Sequence, residues 1–125
     1  MTPTAARNPV RGEIWWAELP FDPSGKKRPV IIVSPDTRYS HPRSGSVLVV
    51  PLSTSIQNQG PSQFVLRSGE TGLREDSAAW AGNISAVSRE KLIEPIPGHR
   101  PISNFQICRL ASLVRLAMGC LEAPN

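Results

Sequence analysis

The fold is decided by one stretch of the sequence, Lys26-Lys27-Arg28-Pro29-Val30-Ile31-Ile32-Val33-Ser34-Pro35. A run of Val and Ile residues between two prolines is typical of a buried strand. Because Pro29 has no N–H, we expect it to be the first residue of that strand. Arg28 would then stand at the mouth of a rigid element, where its guanidinium could fork onto a phosphate. The alternative interpretation is an ordinary solvated cluster of cations in a turn.

Length and composition limit the possible classes of protein. The chain has 125 residues, a net charge of +4, 13 prolines and 9 glycines. A chain of this length is expected to form one domain. Its positive charge favours an anionic partner, and its many prolines and glycines argue against a helical bundle. No apolar run approaches the roughly 18 residues of a membrane span, and the N-terminus lacks the apolar centre of a signal peptide. We therefore predict a cytoplasmic protein without a membrane partner, with a disordered arm over residues 1–10 and a single domain over residues 11–125.

Short apolar segments separated by turn residues predict a mainly β protein. The predicted strands span residues 11–19, 29–33, 46–55, 63–66 and 77–87. Gly82 interrupts the last strand, where a bulge or sharp bend is expected. In the first strand, Trp15 and Trp16 point to opposite faces, so one is expected in the core and the other at a rim. Together with a C-terminal helix capped by Asn104, these strands indicate a small, strongly bent antiparallel barrel.

The predicted C-terminal helix has apolar residues on both sides. One side carries the i, i+3, i+4 pattern of a core-facing helix, and the other still carries several apolar residues besides Arg109 and Ser112. A helix with one solvated side does not need that much apolar surface. We therefore predict a homodimer whose interface includes Leu113, Leu116 and Cys120. The alternative is a few scattered exposed leucines.

The potential metal ligands are few and badly spaced. The two cysteines, Cys108 and Cys120, are 12 residues apart, and His41 and His99 have no partners at metal-ligand spacing. The sequence therefore predicts no metal site and no cofactor.

Five segments, in this order and at these intervals, resemble the MazF/PemK family of toxins from type II toxin–antitoxin modules. They are Arg11-Gly12-Glu13-Ile14-Trp15-Trp16, Lys27-Arg28-Pro29-Val30, Val49-Val50-Pro51-Leu52-Ser53-Thr54-Ser55, Gly72-Leu73-Arg74-Glu75-Asp76-Ser77 and Ile84-Ser85-Ala86-Val87-Ser88. The resemblance implies an SH3-like barrel of the CcdB/PemK type, a homodimer, and metal-independent, sequence-specific cleavage of single-stranded RNA. It also implies an antitoxin that covers the RNA groove, for which the basic charge predicts an acidic, disordered tail.

The resemblance also implies which residues carry the chemistry. The catalytic arginine of the family corresponds to Arg28. A threonine at the end of the third strand is its partner in the family; Ser53 stands at that place here, with Thr54 next to it, and either hydroxyl remains a candidate. The expected products are a 2′,3′-cyclic phosphate and a 5′-OH. Further RNA contacts are predicted in the surrounding loops, at Lys26, Lys27, Phe21, Arg38, Tyr39, Arg43, Ser55 and Gln57.

Two other functions are compatible with such a barrel. One is a gyrase poison of the CcdB type, a family that shares the fold and uses a C-terminal Trp-Gly pair; residues 120–125 contain no aromatic residue. The other is a non-catalytic module that binds nucleic acid or protein. Cleavage of a long RNA at defined sites in EDTA would separate the endoribonuclease from both.

Overall fold

The computed structural model describes residues 8–20, 22–35, 45–56 and 60–120. Its strands are β1 (Ile14–Glu18), β2 (Lys27–Ile32), β3 (Ser46–Ser53), β4 (Gln63–Leu66), β5 (Ser77–Trp80), β6 (Ser85–Ser88) and β7 (Leu92–Pro95). The helices are α1 (Ser68–Thr71) and α2 (Asn104–Ala117), and single 3-10 turns occupy Ala81–Asn83 and Arg89–Lys91. The predicted mainly β class with a C-terminal helix is confirmed.

All strand pairs are antiparallel, in the order β4-β5-β3-β2-β1-β7, and β6 also pairs with β3. Strand β3 is the centre of this sheet. Its first half pairs with β6 and its last two residues pair with β5, while its other edge pairs with β2. The sheet therefore bends sharply at β3. Among the described strands the two ends of the order, β4 and β7, do not pair, so the barrel is open.

The two faces of β3 contribute to two separate apolar clusters. Val50 and Leu52 belong to a cluster that is covered by Ile107 and Leu110 of α2. The alternate residues of β3 belong to a second cluster with Trp15, Ala17, Val30 and Leu92, among others. Each fully buried Ile, Leu or Val side chain stabilises the fold by about 1.5–3 kcal/mol. The bend of β3 is thus held from both sides.

The tryptophan pair divides as predicted. Trp15 is completely buried, and Trp16 is only partly buried. The prediction for Pro29 was wrong, because β2 begins at Lys27 and Pro29 is its third residue. At Pro29, β2 pairs with β1 but not with β3, because the pairing with β3 covers only Val30 to Ile32. Pro29 therefore lies where β2 has one unpaired edge, and a proline is tolerated at such an edge.

Two other predicted boundaries were wrong. The predicted strand 77–87 is two strands, β5 and β6, and the 3-10 turn between them contains Gly82. A side chain at Gly82 would meet the Ser62 hydroxyl at 2.8 Å, so glycine lets the turn approach Ser62, the residue before β4, closely. In α2 the N-cap is Ser103, not Asn104, because the Ser103 hydroxyl accepts a hydrogen bond of 3.2 Å from the Gln106 N–H. The Asn104 side chain instead accepts a hydrogen bond from Arg11.

The predicted dimer contacts differ in exposure. Leu113 is partly buried against the core of its own chain, whereas Leu116 is 41% exposed. Cys120 is exposed and lies beyond the end of α2. Phe105 and Met118, at the two ends of the helix, are also exposed. The outer side of α2 therefore exposes several apolar residues in the single chain, next to the exposed Arg109, Ser112 and Arg115.

At the N-terminus, residues 1–7 of the predicted arm lie outside the described residues. Pro9 is buried, and the Val10 N–H donates a hydrogen bond of 2.8 Å to Glu13 Oε1. In the part of the chain that the structure describes, no helix is long and apolar enough to cross a membrane.

Candidate functional site

A cleft of about 510 Å³ lies between the β1–β2 loop and the C-terminal end of β3. It brings together the three predicted catalytic residues, Arg28, Ser53 and Thr54. The rest of its lining consists of Trp16, Leu19, Asp22, Pro23, Pro29, Pro51, Leu52, Trp80 and Asn83. Most of these residues are aromatic, aliphatic or proline. The cleft is therefore an apolar groove with one arginine and a few hydroxyl and amide groups, the composition of a small ligand site.

The register of β2 and β3 separates the two hydroxyl candidates. Val30 is opposite Pro51, and each further step along β2 is one step back along β3. When this antiparallel register is continued two residues toward the loop, Arg28 falls opposite Ser53. Directly opposed residues share one face of a sheet, and the next residue, Thr54, falls on the other face. The observed pairing ends at Val30 and Pro51, so this is an extension of the register, and the choice between Ser53 and Thr54 stays a prediction, with Ser53 as the hydroxyl on the face of Arg28.

The hydroxyl of Ser53 can act as a hydrogen-bond donor in the cleft. Its Oγ accepts a hydrogen bond of 3.1 Å from the Ser55 N–H. A hydroxyl has one O–H donor in addition to its two lone pairs, so the Ser53 proton remains available for an acceptor in the cleft. Thr54 and Ser55 are both exposed, and Ser55, a predicted RNA contact, lies beside the cleft and is not part of its lining.

Arg28 is held by a carboxylate that the sequence analysis did not identify. Its Nε donates to Asp22 Oδ2 at 2.7 Å, and the side chains of Arg28 and Asp22 are 47% and 14% exposed. Asp22 Oδ1 accepts two further hydrogen bonds, from the Ser24 hydroxyl at 2.7 Å and from the Ser24 N–H at 3.0 Å. The hydrogen bonds from the Ser24 side chain, from Arg28 and from the Ser24 backbone together lower the pKa of Asp22 to about 2. Asp22 is thus ionised at neutral pH.

A signal for Asp22 is present in the sequence. The segment Asp22-Pro23-Ser24-Gly25 has Asp, Pro and Gly at the positions that a type I turn favours. An aspartate at the first position of such a turn bonds the backbone two residues later, as Asp22 does here. The turn chemistry therefore fixes the carboxylate, but only the fold shows that its second oxygen meets Arg28.

Lys26 and Lys27 were both predicted to lie in a loop, but Lys27 lies in a strand. Lys27 is the first residue of β2, opposite Glu18, and its Nζ lies 4.9 Å from the centre of the Trp16 ring. This cation–π contact holds the ammonium over an aromatic wall of the cleft. Lys26 precedes the strand and is exposed. Neither lysine is part of the cleft lining.

Two residues from a different part of the chain complete the cleft. Trp80 ends β5, and Asn83 ends the 3-10 turn that follows. The indole Nε1 of Trp80 is buried and has no hydrogen-bond partner in the described part of the chain. Trp80 was predicted only as part of a strand, because its place in the same cleft as Arg28 depends on the pairing of β3 with β5.

The remaining predicted RNA contacts stay predictions. Phe21, Arg38, Tyr39, Arg43 and Gln57 lie outside the described residues. The described residues include no group of three His, Cys, Asp or Glu side chains that could hold a metal ion. Of the two histidines, His99 is described; its Nδ1 lies 2.7 Å from the Ile96 carbonyl oxygen, and the residue is not part of the cleft lining.

The fold and the cleft define the class of protein: a small, open-barrel β domain with an arginine and hydroxyl groups in an apolar groove. The chain belongs to the family of PemK-like, MazF-like toxins of type II toxin–antitoxin systems, whose model matches residues 10–113. It is 35% identical over 97 residues to the endoribonuclease MazF9 of Mycobacterium tuberculosis (strain ATCC 25618 / H37Rv), covering 69% of this chain and 78% of that protein. It is 30% identical over 112 residues to the probable endoribonuclease MazF5 of the same strain, covering 90% and 94%.

The solved structures agree in fold. A mycobacterial endoribonuclease in complex with its cognate antitoxin matches with a TM-score of 0.69, at 20% identity, over 94% of this chain and all of that chain. At this identity the likeness concerns the fold alone.

Proposed function

We propose that this chain is the toxin of a type II toxin–antitoxin system and cleaves single-stranded RNA at specific sequences without a metal ion. The observation that carries the proposal is that Arg28, Ser53 and Thr54 all line one apolar cleft. Family membership supports the reaction class, since two curated relatives are named as an endoribonuclease and a probable endoribonuclease. An RNA-cleaving toxin of this kind would inhibit translation and growth, and it would act in the cytoplasm, where its substrate is.

The chemistry requires little from the protein because RNA carries its own nucleophile. The 2′-oxygen attacks the adjacent phosphorus, the bond from phosphorus to the 5′-oxygen breaks, and the proton lost by the 2′-OH is balanced by one gained at the 5′-oxygen. The products are a 2′,3′-cyclic phosphate and a 5′-OH, and no water or metal is consumed. The protein must align these groups and stabilise the charge that develops on the phosphate oxygens.

Arg28 is suited to charge stabilisation and Ser53 to a single hydrogen bond. A guanidinium remains protonated and presents a planar fork of donors, and half of the Arg28 side chain is exposed to the cleft or solvent. The Ser53 hydroxyl already accepts from Ser55 and has its proton free to donate. Because a guanidinium is a poor acid or base, we expect a moderate rate compared with nucleases that use a pair of histidines.

Base recognition would use the aromatic walls. Sequence-specific RNA recognition depends on unstacked bases that lie on aromatic side chains and bond through their edges. Trp16 and Trp80 supply aromatic surface beside Arg28, and Asn83 supplies an amide that can both donate and accept. The predicted contacts at Phe21 and Tyr39 would extend this surface.

The partners follow from the family and from the surface. An antitoxin with an acidic, disordered tail would cover Arg28 and exclude RNA, in keeping with the antitoxin complex of the mycobacterial relative. A homodimer would cover the exposed apolar side of α2 around Leu116. Such an isologous interface needs about 1,200–2,000 Å² of buried surface.

The test is cleavage of a long single-stranded RNA by the purified protein in EDTA. We expect cuts at a few defined sites, with 2′,3′-cyclic phosphate ends. Arg28→Ala should bind RNA but lose about 10²–10³-fold in single-turnover rate, as expected when a preorganised oxyanion donor is removed. Arg28→Lys should also be impaired because a point charge cannot fork.

Lys26→Ala is the matched control, since it removes the same charge from an exposed position outside the cleft. It should weaken RNA binding and reduce the salt slope by about 0.7, with the chemical step nearly unchanged. RNA binding without cleavage by the wild-type protein would favour a non-catalytic module, and inhibition of gyrase without RNA cleavage would favour a CcdB-type poison.

A further inference from the structure

We propose that Asp22 is a positioning residue for the reaction: it holds Arg28 through Nε and leaves the terminal Nη groups to bind the scissile phosphate. The inference rests on the proposed role of Arg28 in RNA cleavage. It concerns a carboxylate that lies inside the cleft, where an anionic substrate would bind.

The geometry of the pair divides the guanidinium into two parts. Asp22 Oδ2 accepts from Nε at 2.7 Å, the end of the group nearest the main chain. In the described part of the chain, Asp22 is the only side chain that bonds Arg28. A guanidinium carries five N–H donors in a fixed plane, so one bond at Nε sets the direction of the plane and leaves the outer donors unused. The outer edge is the one that can fork onto a phosphate.

The carboxylate is itself held at several points. Its other oxygen accepts from the Ser24 hydroxyl and the Ser24 N–H. The Asp22 main chain also donates to the Leu19 carbonyl at 3.1 Å and accepts from the Gly25 N–H at 3.4 Å. Gly25 has a φ of 69°, the left-handed conformation that glycine adopts without strain. Arg28 is thus attached through Asp22 to the tight turn of residues 22–25, in the loop that connects β1 to β2.

A carboxylate at this place has an electrostatic cost for a nucleic-acid enzyme. It repels the phosphate that Arg28 attracts, so its charge alone opposes RNA binding. Two possible roles for Asp22 therefore predict the same change in RNA binding but different changes in the cleavage rate when the charge is removed. If Asp22 only reduces the positive potential, its loss strengthens RNA binding and does not slow cleavage. If Asp22 positions Arg28, its loss strengthens binding while the chemical step becomes slower.

The experiment separates binding from chemistry in the Asp22→Asn variant of the full-length chain. Binding is measured with an RNA that carries a 2′-deoxy group at the cut site, and cleavage is measured in single turnover at saturating enzyme. We expect the dissociation constant to fall by about 2-fold to 5-fold, the size of one exposed charge interaction. We expect the cleavage rate to fall by roughly 10-fold to 100-fold, since a displacement of about 1 Å in a reacting group can cost 10²-fold.

Glu18→Gln is the matched control. It removes the same charge from the same hairpin, and Glu18 is an exposed residue that pairs with Lys91 at 3.5 Å and is not part of the cleft lining. Its effect on binding should resemble that of Asp22→Asn, with an unchanged cleavage rate. Ser24→Ala is the second probe, since it keeps both charges but removes one bond that orients the carboxylate; it should slow cleavage by less than Asp22→Asn and leave RNA affinity unchanged.

The outcomes distinguish this inference from the proposed function. If the wild type cuts RNA, Arg28→Ala does not, and Asp22→Asn cuts at the wild-type rate or faster, then Asp22 does not position Arg28 and only this inference is overturned. If the wild type does not cut, or Arg28→Ala cuts normally, the proposed function and this inference fail together. A slower Asp22→Asn that also binds RNA more weakly would indicate a damaged cleft and would likewise overturn the positioning role.

Discussion

Replacement of Ser53 and Thr54, each by alanine, tests which hydroxyl assists Arg28. The two residues are neighbours in sequence, and both line the cleft. The paired register of β2 and β3 ends at Val30 and Pro51. Its extension by two residues would place Ser53, not Thr54, on the face of the sheet that carries Arg28. The Ser53 hydroxyl also has an internal acceptor role that leaves its proton free. We therefore expect Ser53→Ala to slow the chemical step and Thr54→Ala to leave it nearly unchanged.

The expected size follows from the kind of hydrogen bond that is lost. A hydrogen bond to a charged group contributes about 1.5–3 kcal/mol. At 1.36 kcal/mol for each factor of ten in rate, this corresponds to a decrease of about 10-fold to 150-fold for Ser53→Ala. Ser53→Ala also removes the acceptor for the Ser55 N–H, which in this exposed turn can bond to water. Ser53→Thr keeps the hydroxyl and should recover most of the rate.

The assay is single-turnover cleavage at saturating enzyme, with RNA affinity measured separately on a non-cleavable RNA. All three variants should fold and bind RNA like the wild type. A slow Thr54→Ala together with a normal Ser53→Ala would refute the extension of the strand register to Arg28. Equal, small effects of both substitutions would show that neither hydroxyl touches the phosphate in the transition state.

Three further predictions concern stability and assembly. At Gly72, with φ of 75°, a Cβ would lie 2.4 Å from the Gly98 carbonyl oxygen, whereas a Cβ at Gly98, with φ of 80°, meets nothing within 4 Å. Replacement of either glycine by alanine should lower the unfolding free energy by about 1–2 kcal/mol because of the left-handed backbone. Gly72→Ala should lower it by about 1–3 kcal/mol more because of the clash. Equal losses of unfolding free energy for the two variants in urea would contradict this. Leu116→Glu should convert the predicted dimer to monomer or aggregate, because the charge would be buried without a partner, and a wild type that sediments only as a 13.6 kDa species would contradict the dimer. The pKa of Asp22 is lowered from 3.8 to about 2, so the contribution of the ionised carboxylate to stability is present above about pH 4 and is lost as the pH falls toward 2. Asp22→Asn should flatten this part of the pH dependence of the unfolding free energy. If the free energies of the wild type and the variant fall in parallel over this pH range, the prediction is contradicted.

The strands that carry the arginine and the serine were predictable because their signals are local. Alternation and bounding prolines identify β1, β2 and β3, and β4 was predicted with its observed bounds. Strand β7 was missed because Leu92–Pro95 is short, ends in proline and directly follows a 3-10 turn. What makes it a strand is its pairing with β1, nearly 80 residues earlier in the chain, and such a pairing leaves little trace in the local sequence.

The candidate site likewise contains some residues that the local sequence predicts and others that only the fold brings together. The proline that follows Arg28 and the hydroxyls after Leu52 are visible in sequence order. The bond from Asp22 to Arg28 and the wall formed by Trp80 depend on how a turn folds back and on which strand lies beside β3. Lys27 was placed in a loop because lysines after a glycine favour one, yet its pairing with Glu18 makes it part of the strand.

The central position of β3 makes the groove depend on segments that are synthesised after it. A nascent chain that has reached Ser53 contains β1, β2 and β3, with Arg28 and Ser53 both present. It still lacks β5, β6 and β7, which pair with β3 and β1, and it lacks the α2 side chains that cover the first apolar cluster. A few strands need a packed apolar face for independent stability. The arginine and serine are therefore present in the growing chain before the groove that contains them, whose Trp80 and Asn83 are added later.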